Sequence, residues 1–239
     1  MSHFARVLVL ASFAASYLGC GGSPGGVAGN GKPISQTREV GTYRKVEVGG
    51  GIHVTFTKGP RSVVVTADDN LIDLVETSIR DESLVVRLKG FVNDTKGISV
   101  AVSNDVLEGL SLSGGSSFVG APTAIPHFDL DASGGSTAEL SDLASDSVSV
   151  SASGGSEVTL AGGAAKSLVL AVSGGSRVLS HGFVVEAASV DVSGGSIVCV
   201  TCTASLKGNV SGGSTVTLSG APAIISVNSS GGSRLVKEN

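Results

Sequence analysis

Tryptophan is absent from these 239 residues, methionine occurs once, tyrosine twice and cysteine three times. Broad aromatic platforms for stacking sugars or nucleobases are therefore scarce, and a disulfide scaffold would need far more cysteine. Proline is limited to 6 residues, and the 35 glycines follow no G-X-Y period, which excludes a collagen helix. Charged residues make up only 15%, the net charge is −4 and no basic cluster exists, so no nucleic-acid partner is expected. What is present is apolar. At 41% of the chain it is too much for a disordered segment and enough for a sizeable core.

The N-terminus reads as an export signal. A short basic segment ends at Arg6, and the apolar run from Val7 to Leu18 covers 12 residues. That is too short for a helix crossing a bilayer core of about 30 Å but suits a secretory signal. It closes on Tyr17-Leu18-Gly19-Cys20, which resembles the lipobox of bacterial lipoproteins, with Tyr17 where leucine is usual. The resemblance implies that Cys20 becomes the lipidated first residue, and Gly21 after it favours the outer membrane of a Gram-negative envelope. An ordinary signal peptide cut nearby is the other reading, and both export the protein. Residues 1–20 are thus expected to be a lipoprotein signal peptide and 21–34 a flexible tether. Gly26 to Pro33 approaches a phosphate-binding loop, but Pro33 stands where Ser or Thr should meet magnesium.

Ser-Gly-Gly-Ser returns seven times, opening with Ser113-Gly114-Gly115, Ser133-Gly134-Gly135, Ser153-Gly154-Gly155, Ser173-Gly174-Gly175, Ser193-Gly194-Gly195, Ser211-Gly212-Gly213 and Ser230-Gly231-Gly232. The intervals are 20, 20, 20, 20, 18 and 19 residues. A period in this range signals stacked repeats. Before each turn apolar and polar residues alternate, as in Val148, Val150 and Ala152 against Ser149 and Ser151. The same parity resumes after it, with Val158 and Leu160 inward and Glu157 and Thr159 outward. Each repeat is therefore strand, SGGS corner, strand and a looser second corner such as Ala161–Lys166. Glycine suits the first corner because it reaches positive φ and lets the next coil approach, and the serines can bond local backbone. They are turn residues and not nucleophiles. The expected architecture is all-β: a single-stranded right-handed parallel β-helix of ~20-residue coils, regular over residues 106–239. In that register Glu157 and Arg177 hold the same outward position one repeat apart and should be neighbours.

Residues 35–105 lack SGGS but carry strand signals, including Val46, Val48, Ile52, Val54 and Phe56 around a Gly49–Gly51 turn. Leu71, Leu74, Val75 and Ile79 have helical spacing. This is an irregular N-terminal section expected to cap the stack. Gly51-Ile52-His53 and Asp69-Asn70-Leu71, followed by the SGGS turns, resemble the head GIN domain family of auto-transporter adhesins over about Thr37 to Glu238. The resemblance implies a right-handed β-helix, a lipoprotein and no catalytic residues. It also implies no self-transport, because no translocator barrel follows the last repeat.

Candidates for chemistry are sparse. His53, His127 and His181 are far apart and expected at exposed positions, so no metal triad and no cofactor is foreseen. Asp129 and Asp131 share one face, and with Asp191 are the best acid–base candidates for a β-helix enzyme. No basic partner matches their register. Cys199 and Cys202 form a C-x-x-C pair, but redox chemistry of that type needs a helix start. Cys199 is expected outward and Cys202 at a corner, where other repeats place Gly162, Gly182 and Gly220. A corner between them leaves a disulfide open. The expected function is non-catalytic: a membrane-anchored envelope solenoid for adhesion or scaffolding, with a glycan or envelope protein as partner. An enzyme acting on polysaccharide is the alternative.

Overall fold

The computed structural model describes residues 25–93, 97–122 and 125–238, so the signal and Cys20 lie outside it. The chain is a parallel β-solenoid with an antiparallel cap. Its strands are β1 (Pro33–Thr37), β2 (Lys45–Val48), β3 (His53–Lys58), β4 (Ser62–Asp68), β5 (Val75–Arg80), β6 (Ser83–Leu88), β7 (Ser99–Asn104), β8 (Gly109–Leu112) and β9 (Ser117–Gly120). They continue as β10 (Ile125–Ala132), β11 (Thr137–Ala152), β12 (Glu157–Val172), β13 (Arg177–Val192), β14 (Ile197–Val210), β15 (Thr215–Ser219), β16 (Ile224–Ser229) and β17 (Arg234–Lys237).

Strands before the SGGS turn form one wall and strands after it form a second. Each of β11 to β14 runs along the second wall, bends at the looser corner and continues into the first wall of the next coil. The inward parity read from the sequence is buried throughout: Val148, Val150 and Ala152 align with Leu168, Leu170 and Val172 and all are at most 2% exposed. Burying one such Val or Leu contributes roughly 1.5–3 kcal/mol, and the columns run unbroken from coil to coil.

The SGGS corners explain their own composition. Both glycines are left-handed in every copy, for example Gly154 at φ 64° and Gly155 at 79°. A Cβ on Gly154 would lie 3.1 Å from the Gly134 nitrogen of the preceding coil. The two serines differ. Ser153 is exposed, whereas Ser156 is buried and donates its hydroxyl to the Ser153 carbonyl over 2.8 Å. Its equivalent Ser214 does the same to Ser211 and accepts the Ser196 N–H from the coil before. Buried hydroxyls are thus satisfied along the stack.

The N-terminal section is less simple than a preceding set of coils. The β2–β3 coil sits between two others: Val46 pairs with Leu84 of β6 on one side and with Leu110 of β8 on the other. Val54 likewise pairs with Val100 of β7 and Phe118 of β9. The chain therefore visits the β6–β7 coil after the one above it and crosses back over. Tyr43 and Asn104 pin that crossover, with Tyr43 Oη donating to the Ser103 carbonyl over 3.0 Å and Asn104 Nδ2 donating to the Tyr43 carbonyl over 2.9 Å. Arg44 forks onto Glu108 beside them, and its guanidinium holds the Glu108 carboxyl below its ordinary range.

The far end is closed by strands of opposite direction. β5 pairs antiparallel with β6, and β4 pairs antiparallel with β7 and with β1. The helical spacing around Leu71–Ile79 yields only a 3-10 turn at Ile72–Leu74 before β5 begins. Val75, Thr77 and Ile79 are drawn into the ladder with β6, and pairing outweighs the weak helical pattern. The segment read as a tether is also shorter than expected. Gly31 N–H donates to Asp68 Oδ2 over 2.8 Å, and Val27 bridges to Val92, so the chain is docked from Val27 onward.

Candidate functional site

The second corners build a concave surface that crosses several coils. Their backbone turns through left-handed residues in register: Asp142 at φ 53°, Gly162 at 89° and Gly182 at 97°. Immediately after the turn the stacked positions are small, with Ala144 paired to Ala164 and Ala164 to Val184. The next column, Ser145, Ala165 and Val185, is drawn inward. Small side chains on a bent wall leave an open trough of about 600 Å³ crossing successive coils, with Ile125 and Pro126 among its lining residues.

Charges line its lip. Lys166 Nζ lies 2.7 Å from Asp146 Oδ1, and Glu186 follows in the next coil. The Asp146 carboxylate, with a smaller contribution from Glu186, holds the Lys166 ammonium above its ordinary value. Acid, base and acid thus alternate along the lip over an apolar floor. Sequence reading saw only a loose corner here. The recurrence of Ala144, Ala164 and Val184 at one repeat position was the signal available.

The acidic pair lies elsewhere, on the first wall. Asp129 and Asp131 do share one outward face, and Asp129 pairs in register with Gly109 and Ser149. A basic residue in matching register, not foreseen from the sequence, stands on β2: Lys45 also pairs with Gly109, whose missing side chain lets the Lys45 methylenes lie across it. His127 is on strand β10 and exposed. Its Nε2 lies 2.8 Å from Asp129 Oδ1 and its Nδ1 2.5 Å from Ser147 Oγ. This has the order of nucleophile, base and carboxylate. It sits on an exposed wall, and the Asp129 N–H is committed to the Glu108 carbonyl of the neighbouring coil. Asp191 stands three coils further along the wall from Asp131, and His53 bonds Ser117 on the other wall. Among the described residues no group of three or more His, Cys, Asp or Glu converges to hold a metal ion.

Cys199 and Cys202 are both free, so the disulfide left open by the sequence does not form. The reason is the 18-residue interval between Ser193 and Ser211, which shortens this corner. Cys202 therefore stacks under the corner Gly220 of the next coil, as expected, but toward the preceding coil it pairs with Val185 and enters the core, while Cys199 pairs with Leu179 on the outward side. The two thiols lie on either side of the corner, Cys199 outward before it and Cys202 inward after it. Burial raises both above the ordinary thiol value, with a Thr217 hydrogen bond partly opposing this at Cys199.

Residues 42–222 match the family described as "Putative auto-transporter adhesin, head GIN domain". Among solved structures, a "putative adhesin" from Bacteroides fragilis NCTC 9343 is similar at TM-score 0.81 and 19% identity, covering 89% of this chain and 100% of that one. A "putative adhesin" from Parabacteroides distasonis ATCC 8503 is similar at TM-score 0.70 and 24% identity, covering 90% and 100%. A "putative lipid binding protein" from the same strain is similar at TM-score 0.66 and 18% identity, covering 89% and 99%. No curated protein matches the chain.

Proposed function

The chain belongs to the head GIN domain family, and on that premise we propose that it is a non-catalytic adhesive protein of the bacterial cell envelope, anchored by a lipid on Cys20. The observation that carries the adhesive reading is the corner trough. It crosses successive coils, which repeat at about 4.8 Å, and offers each coil's small residue in line with the next. A repeating floor of this kind fits an extended chain laid along the solenoid better than a compact metabolite. The apolar floor and the alternating Asp146–Lys166–Glu186 lip favour a segment of another envelope protein. A glycan is served less well, since no aromatic ring lines the trough.

One similar structure is described as a lipid binding protein, and an acyl chain is the second occupant that the apolar floor would accept. The test uses the soluble chain from Gly21 against envelope proteins, glycans and lipids. Ala164→Trp, which fills the trough from an exposed position, should abolish whatever binding is found. Binding unchanged by this variant would move the site elsewhere. Anchoring is read separately: wild-type protein should carry lipid and sediment with membranes, and Cys20→Ser should do neither.

A further inference from the structure

Phe91 is 73% exposed, the most exposed large apolar side chain among the described residues. Its position gives this exposure a meaning that a scattered surface residue would lack. Twelve residues, 87–98, connect Val86 to Ser99, whereas in the neighbouring coil four residues, 49–52, connect the paired Val48 to His53. The ring is thus carried by an eight-residue insertion at a corner where other coils turn tightly. The Val27 backbone lies beside it: its N–H donates to the Phe91 carbonyl over 2.9 Å, and its carbonyl accepts the Asn93 N–H over 3.1 Å, which pairs Val27 with Val92 and leaves the ring on the other face. Asn93 Nδ2 also donates to the Gly26 carbonyl over 2.7 Å.

These bonds fasten the root of the chain to the exposed ring. Cys20 precedes Val27 by seven residues, which at full extension span at most about 25 Å. A lipid on Cys20 therefore holds the Phe91 corner within a short leash of the bilayer surface, while the trough and walls lie along the rest of the solenoid. Aromatic rings settle in the interfacial layer of a bilayer, where their faces leave water without entering the acyl core completely.

We propose that the Phe91 corner is a membrane-contact patch, which seats the solenoid against the lipid surface that holds its anchor. This inference rests on the anchoring reading of Cys20. The patch gives the anchored solenoid a second point of attachment, so that the corner trough is presented in a constant direction from the membrane.

The absence of tryptophan from the chain makes the test direct. The full lipidated protein carrying Phe91→Trp is reconstituted into vesicles of phosphatidylethanolamine and phosphatidylglycerol. Its emission should shift to shorter wavelength than in the unlipidated chain from Gly21, and lipids brominated on their acyl chains should quench it. Val169→Trp, on the first wall at a residue 50% exposed, should show neither effect. If the protein sediments with the vesicles but Trp at position 91 remains water-exposed and unquenched, the patch is overturned and the anchor stands. If mass spectrometry finds no lipid on the wild-type N-terminus, the anchoring reading and the patch fall together.

Discussion

Glu157 and Arg177, 20 residues apart in the chain, sit opposite one another on adjacent coils, with Arg177 Nη1 3.8 Å from Glu157 Oε2. The pair reports the register of the stack, which the buried columns fix, because a slip of one residue would turn every inward Val and Leu of β12 and β13 to solvent. The pair itself is half exposed and should contribute only about 0–1 kcal/mol. Glu157→Gln should therefore change the melting temperature by no more than a degree or two. A large loss at low salt would show that the pair, and not the buried columns, sets the register.

The two glycines of one corner should differ. Valine at Gly154 or Gly155 faces a left-handed backbone costing on the order of 1–3 kcal/mol. Gly154→Val adds a collision with the Gly134 nitrogen, while a Cβ at Gly155 meets nothing within 4 Å. Gly154→Val should be the more damaging in thermal unfolding, and equal losses would refute the role given to coil contact.

The two serines should differ as well. Ser153→Ala removes an exposed hydroxyl and should cost at most about 1 kcal/mol. Ser214→Ala leaves the part-buried Ser211 carbonyl and the buried Ser196 N–H short of a partner and should cost about 1–3 kcal/mol. Denaturant melts of both variants decide this, and a harmless Ser214→Ala would mean that the buried ladder is not what stabilises the corner.

The coil was legible because every level of the sequence agreed about it. Period, parity and corner chemistry all pointed to the same stack, and Val148, Val158 and Gly154 are where that agreement put them. Three features were not legible. The placement of β2 between β6 and β8 depends on which strand edges meet in space, and the alternation of Val46 and Val48 is the same whichever neighbour is chosen. The burial of Cys202 was missed because counting forward from Ser193 assumes a corner of constant length, and this coil is shorter. Lys45 reaches the Asp129 register only because β8, carrying Gly109, is the strand between them, a relation invisible to the local pattern.

Thiol accessibility tests the corrected placement. In the chain from Gly21, a neutral thiol reagent should modify Cys199 slowly, since it is partly exposed with its pKa raised by burial. Cys202 should react only after unfolding. The expected count is one thiol in the native protein and two in denaturant. Equal native reactivity would return Cys202 to the surface.

Tyr43 gives the fold an alkaline limit. Burial pushes its phenol up to about 12, with Arg61 opposing, against an ordinary value near 10. A raised acid group stabilises the fold fully below its unfolded pKa and loses that contribution as pH climbs through the folded one. Stability should therefore fall between pH of about 10 and 12 by on the order of 2 kcal/mol. Tyr43 is the sole tyrosine after Gly21, so tyrosinate absorbance reports on it alone. Tyr43→Phe should flatten this slope. A reversible titration near 10 in protein that stays folded would show that the phenol is not sealed against Ser103.

Lys237 explains how the other end of the stack stays soluble. β17 pairs with β15 and β16 with β14, and among the described residues nothing pairs with their outer edges. Ile225, Val227 and Leu235, which continue the inward columns, are only partly buried there. Such an edge invites another chain to add a coil. Lys237, however, occupies the inward column directly after Val200 and Leu218 and is exposed. Its ammonium cannot be sealed beneath a further coil without losing its water, a cost of several kcal/mol for an unpaired ion. At the open end it reaches solvent along its own methylenes. A charge in that position therefore opposes end-to-end stacking while leaving the last coil intact. Lys237→Leu should keep or raise thermal stability but promote self-association, with sedimentation velocity showing dimers and longer stacks as concentration rises. Lys237→Arg should behave as wild type. If the leucine variant remained monomeric throughout, the edge would have to be guarded by something other than this charge.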